Sequence, residues 1–129
     1  MPAMTLTDAH QETTRLDIHE VALRLNKHLG TTLVSMLAGS RTRSAASRWA
    51  KAPSVPGSQT PRDEAAAKLY AALTIWTLIS SAEDEYIARA WFIGANPRLD
   101  DEAPVMALRA GETKQVMAAA RAFVSGADD

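Results

Sequence analysis

The side chains whose types and spacing bear on chemistry are three histidines, two acidic triplets and a set of basic residues with no acid among them. His10, His19 and His28 all precede residue 29, and His19 and His28 stand nine apart, on opposite sides of a helix. With no cysteine and no close pair such as H-E-x-x-H, no metal site is expected, and the histidines read as solvated surface groups. Glu83-Asp84-Glu85 and Asp100-Asp101-Glu102 would suit acid-base work only beside a nucleophile or a phosphate-binding glycine loop, and neither is near. Each triplet falls where a helix is expected to begin, a position that favours negative charge. No residue stands out as activated, so neither an enzyme nor a cofactor is expected.

The basic residues are more informative. The formal charge of -1 conceals a segment, 21–62, in which Arg24, Lys27, Arg41, Arg43, Arg48, Lys51 and Arg62 face no Asp or Glu, while both flanking segments are acidic. Phosphates attract lysine and arginine and repel carboxylates, so an acid-free stretch suits a nucleic-acid surface. A helix, turn and helix between residues 31 and 52 match the layout that lays a second helix in the major groove. The candidate DNA contacts are Arg41, Arg43, Ser44, Ser47, Arg48 and Lys51. Ala45 and Ala46 stand where base-reading proteins often present Gln, Asn or Arg, so contacts to the backbone are expected to dominate. A merely solvated basic face is the alternative.

These residues must be positioned by helices. Alanine is abundant, glycine and proline number six each, and runs rich in β-branched residues are missing, which points to an all-α fold. Thr14-Arg15-Leu16-Asp17 has capping-box spacing, and Ile18, Ala22, Leu25 and Leu29 recur as on an amphipathic helix that Gly30 ends. Thr31 or Thr32 then starts a short helix burying Leu33, Val34, Met36 and Leu37. Gly39 permits a tight turn, and Ser44 caps a third helix from Ala45 to about Ala52 with Trp49 in the core.

Proline, glycine and serine crowd residues 53–61, which read as a linker. Thr60-Pro61-Arg62-Asp63 combines a capping box with proline at the first helical position, opening a central helix with Leu69, Leu73, Trp76, Leu78 and Ile79. Ser81-Ala82-Glu83-Asp84 repeats the capping pattern before a helix that places Ile87, Ala90 and Trp91 on one side. Asn96-Pro97 signals a turn, Pro104 opens a short helix closed by Gly111, and a last helix from about Glu112 to Ser125 carries Val116, Ala120 and Phe123. Four segments result: an N-terminal tail at 1–15, a helix-turn-helix region at 16–52, the linker at 53–61 and a helical region at 62–129.

At 129 residues with 47% hydrophobic side chains the chain suits one compact core. The absence of cysteine fits a reducing compartment, and no basic-then-apolar leader opens the sequence, so a cytoplasmic protein is expected. The longest uncharged apolar run, 69–82, is short of the roughly 20 residues that span a bilayer, and no membrane association is expected.

The C-terminal third carries an ordered series. Ala88-Arg89-Ala90-Trp91-Phe92, Asn96-Pro97-Arg98-Leu99, Pro104 with Leu108, Gly111-Glu112 with Val116, and Phe123-Val124-Ser125-Gly126 together resemble the toxin-binding domain of Xre/MbcA/ParS-type antitoxins. Leu29-Gly30 followed by Ser47-Arg48-Trp49 is similar to the helix-turn-helix that precedes this domain in the same family. The resemblance covers residues 16–126. Asp100 to Glu102 departs from it, since relatives often carry glycines and a basic residue there. The resemblance implies a RES-domain toxin as partner, an NAD-consuming enzyme whose active-site entrance the antitoxin covers, with no NAD held by this chain. Carried over residue by residue, Trp91, Asn96, Pro97, Arg98, Leu99, Phe123, Ser125 and Gly126 become the expected toxin contacts. A homodimer is expected, because helix-turn-helix proteins usually read paired half-sites. A stand-alone transcription regulator and a structural adaptor are the competing readings.

Overall fold

The computed structural model describes residues 4–126. It is all-helical. Among the described residues lie eight α-helices: α1 Leu6–Thr14, α2 Ile18–Leu29, α3 Thr31–Leu37, α4 Ala45–Trp49, α5 Asp63–Ala82, α6 Glu85–Ile93, α7 Pro104–Arg109 and α8 Thr113–Ser125. A 3-10 turn, Pro97–Leu99, lies between α6 and α7.

The long α5 organises the rest. Six consecutive residues, 71–76, are buried, which is more than one helix face and requires neighbours on several sides. Those neighbours are α1, α2, α3, α6, α7 and α8. By length and composition alone α5 would also cross a membrane; here its apolar surface forms the centre of one contiguous core reaching from Ala9 to Ala120. That core includes Trp49, as expected from the sequence.

Several boundaries differ from expectation. The segment expected as a tail holds α1, capped by Thr5 in a box with Asp8, burying Ala9 and Thr13 and packing on α5. It has no wide apolar stripe, which is why its pattern is faint. The Thr14 to Asp17 box is absent; Asp17 itself caps α2, accepting from the His19 amide at 3.0 Å. Arg62, with no side-chain cap bond, precedes α5, so Pro61 lies before the helix rather than in its first turn. Ser81 belongs to the end of α5, and Asp84 caps α6 by accepting from the Ile87 amide at 2.9 Å.

The side of α6 that carries Ile87 and Ala90 faces solvent, while Ala88 and Phe92 are buried. Apolar residues occur on both sides of this helix, so periodicity could not choose between them.

The 53–61 segment is folded back on α4 as a strap. The Gln59 amide donates to the Arg48 carbonyl at 3.2 Å, and Ser58 Oγ donates to the Lys51 carbonyl at 2.9 Å.

Candidate functional site

The turn between α3 and α4 is built by short polar side chains. Ser35, buried at 1% exposure, donates from Oγ to the Arg43 carbonyl at 3.1 Å and accepts from the Ala46 amide at 2.9 Å. It thereby fastens the far end of the turn to α3. Gly39, at φ +89°, lets the chain leave α3 in a left-handed conformation that a side chain would strain. Ser40 Oγ accepts from the Thr42 amide at 3.1 Å, closing a small turn of its own. The result is a rigid backbone presenting Arg41 and Arg43 to solvent. Among the described residues neither guanidinium makes a hydrogen bond or ion pair.

Arg48 is placed differently. Its Nε donates to Gln59 Oε1 at 3.1 Å, Nη1 to Ser44 Oγ at 3.0 Å and Nη2 to Thr42 Oγ1 at 3.4 Å. This arginine staples the strap to α4 and is half-buried, so a phosphate contact would have to replace bonds already made. Ser44 serves Arg48 and caps nothing. The third helix ends at Trp49, three residues before expectation, and Lys51 falls in the following turn. Five residues make about 7.5 Å of helix, and three of them, Ala45, Ala46 and Trp49, point into the core. Little of α4 remains to read bases.

A cleft of about 470 Å³ lies where this region meets α5, with Arg48, Arg62, Lys68 and Glu64 among its lining residues. Lys68 Nζ is committed to the last carbonyl of α7, that of Arg109, at 2.8 Å. Arg24 is paired with Glu20 at 3.0 Å, so the acid-free stretch is partly neutralised from just outside its own boundary.

Two histidines are not the solvated groups expected. His19 is buried, with Nδ1 2.7 Å from the Trp49 carbonyl and Nε2 3.3 Å from Thr60 Oγ1, joining α2, α4 and the strap. A signal was present: the stripe Ala22, Leu25 and Leu29, extended back by three residues, reaches position 19. His28 stacks on Trp76 with ring centroids 4.4 Å apart. Burial holds its pKa below the ordinary histidine value, against the raising influence of Glu85 and with smaller lowering contributions from Arg24 and Lys27.

The stack begins an aromatic chain. Trp76 lies 6.1 Å from Phe92, Phe92 meets Trp91 edge-on at 5.4 Å, and Trp91 lies 6.3 Å from Phe123. Phe92 is fully buried, whereas Trp91 and Phe123 are partly buried against the core. Thus α6 and α8 bring together two expected contact residues 32 positions apart.

The turn after α6 explains the Asn-Pro motif. Asn96 is 8% exposed; its Oδ1 accepts from the Arg98 amide at 3.0 Å, and its carbonyl accepts from the Leu99 and Asp101 amides, each at 2.9 Å. The Asn96 amide donates to the Glu102 carbonyl at 3.2 Å, closing the loop. Leu99 is buried under it, and the turn packs on α8. Asn96 and Leu99 therefore hold the turn, and Pro97 and Arg98 are its exposed residues. Asp100 and Asp101 have φ of 55° and 66°, a left-handed pair that aspartate tolerates better than most residues. The second acidic triplet is thus turn backbone rather than a helix cap, the cap of α7 being Ala103. Ser125 ends α8, with Oγ donating to the Ala122 carbonyl at 3.1 Å, and Gly126 closes it at φ +78°.

No protein-family model matches the chain, and no curated protein or solved structure matches it either.

Proposed function

We propose that the chain is an antitoxin of the Xre/MbcA/ParS type, which binds and inhibits a RES-domain, NAD-consuming toxin and contacts DNA at its own promoter. It acts by binding, without catalysis or a cofactor. The observation that carries this reading is the meeting of Trp91 and Phe123 at 6.3 Å, both only partly buried at the edge of the core. Aromatics that keep part of their surface accessible are common anchors of a protein interface. The exposed Pro97 and Arg98 and the end of α8 at Ser125 and Gly126 complete the proposed toxin-facing set. Asn96 and Leu99 support it from beneath.

The deciding experiment co-expresses the chain with the adjacent reading frame and follows cellular NAD. Protection is expected with the full chain, and weakened protection after truncation beyond Ala122. Equal NAD depletion with and without the chain rejects inhibition.

A second reading, a stand-alone DNA-binding regulator, is favoured by Arg41 and Arg43, two exposed cations on a stiff turn that make no ion pair among the described residues. Phosphate binding would then be the whole function, with specificity left to DNA shape.

A further inference from the structure

The cleft of about 470 Å³ where α4 and the strap meet the start of α5 is lined by three cations, Arg48, Arg62 and Lys68, and one carboxylate, Glu64, over a small apolar floor that includes Ala45 and Pro61. Its charge is not neutralised. Among the described residues the one ion pair is that of Arg24 with Glu20, Arg48 bonds only to neutral oxygens, and Arg62 makes no hydrogen bond. Lys68 is half-buried, and Glu64 stands four residues before it, a helix spacing at which such residues pair. They do not pair here. The Lys68 ammonium turns instead to the Arg109 carbonyl at 2.8 Å and lies 3.5 Å from where a Cβ on Gly39 would stand. A cation so placed lacks a counter-charge and has two protons to spare. Trp49, 8% exposed, also lines the cleft, and its indole N–H donates to no acceptor among the described residues, yet is not sealed from solvent. It faces the open space of the cleft.

We infer that this cleft binds a small phosphate monoester, with the phosphate on Lys68, Arg62 and the Trp49 indole and a hydroxyl-bearing body against Glu64. The volume suits a small molecule, within the range of roughly 300–1,000 Å³ usual for ligand pockets. The donors come from α4, from the interior of α5 and from the residue before α5, three directions that a tetrahedral group with three terminal oxygens meets and a flat carboxylate does not. Six residues, or about 9 Å of helix, separate Arg62 from Lys68, so two long side chains converge on one anion. Glu64 sets what the anion must carry. A carboxylate beside bare phosphate repels it, whereas a sugar hydroxyl or an amino group donates to that carboxylate, so the site favours an ester over the free ion. A duplex backbone is the poorer match, because Trp49 lies recessed at the base of the cleft while Arg41 and Arg43 project beyond it. The inference goes beyond the antitoxin reading and does not depend on it.

The test titrates the full chain, without DNA or toxin, with inorganic phosphate, ribose 5-phosphate and adenosine monophosphate, and follows the indole N–H signals of its three tryptophans by NMR. Millimolar ribose 5-phosphate is expected to displace the Trp49 signal and leave those of Trp76 and Trp91 in place, with inorganic phosphate acting more weakly. The nucleotide binding more tightly than ribose 5-phosphate assigns a nucleoside monophosphate, and the reverse order assigns a sugar phosphate; both support the site. Arg62→Gln, at an exposed position, is expected to raise the dissociation constant about tenfold with unchanged circular dichroism. Glu64→Gln is expected to keep phosphate binding and to narrow the gap between the ester and the free ion. A Trp49 signal unmoved by all three ligands, the same shift from sodium chloride at equal ionic strength, equal affinity for phosphate and both esters, affinity unchanged in Arg62→Gln, or a response to duplex DNA alone would each overturn the inference.

Discussion

Arg109 Nη1 donates to the carbonyl of Met36 at 2.7 Å, a bond that spans 73 residues of chain, and to the Ser40 carbonyl at 3.2 Å. Carbonyls at the end of α3 have no partner within their own helix, and a guanidinium supplies both hydrogen bonding and favourable charge there. The last residue of α7 thus holds the beginning of the turn that displays Arg41 and Arg43. Loss of this tie is expected to cost about 1–3 kcal/mol, so Arg109→Ala should lower the urea midpoint and weaken DNA binding beyond the loss of one charge. Arg109→Lys, keeping the charge but not the fork, should recover part of the stability.

Arg43→Ala and Arg41→Ala are expected to weaken binding to the upstream region and to reduce its salt slope by about one each, with little effect on folding. Arg48→Ala should do the reverse, lowering thermal stability through the freed strap while changing the slope less. Gel shifts at several salt concentrations, paired with melting curves, separate the two classes. A full unit lost at Arg48 with stability intact would show that its bonds to Gln59 and Ser44 open on DNA.

His28 titrates below the ordinary histidine value of about 6.5 in the folded state. The unfolded chain therefore binds the proton more readily, and stability rises with pH across this window. The contribution is fully present above about pH 6.5 and is lost as the pH falls from there through the folded value. His28→Phe keeps a ring on Trp76 and cannot titrate, so the difference in urea midpoint between pH 8 and pH 5 should shrink in this variant.

Thr13 is 1% exposed and its Oγ1 has no hydrogen-bond partner among the described residues. A buried hydroxyl without a partner costs free energy that a methyl of the same shape does not, so Thr13→Val should stabilise the fold by roughly 1 kcal/mol. A lower melting temperature in Thr13→Val would mean that the hydroxyl is satisfied in solution.

Where one apolar stripe was strong and its ends were punctuated, the helices were legible. Ile18, Ala22, Leu25 and Leu29 with Gly30 mark the body and the end of α2, though its cap is Asp17 rather than Thr14, and Pro104 and Gly111 bracket α7. Residues 6–14 bury little besides Ala9 and Thr13, and α6 offers apolar side chains on both its buried and its exposed sides, so only tertiary packing decides their places. The site was legible unevenly for the same reason. Exposure of Arg41 and Arg43 follows from a polar turn, but the commitment of Arg48 to Gln59, and of Asn96 to its own turn, depends on partners or backbone angles that spacing alone does not specify.

The single core around α5 has a thermodynamic consequence for any chain with two working surfaces. Because α5 packs both on α2 and α3 and on α6, α7 and α8, unfolding of one side removes the wall of the other. A ligand held on either side therefore adds to the same folding equilibrium, by an amount set by its concentration relative to its dissociation constant. Occupancy at one end would slow proteolysis of the strap at the opposite end, with no change of shape required to carry the message.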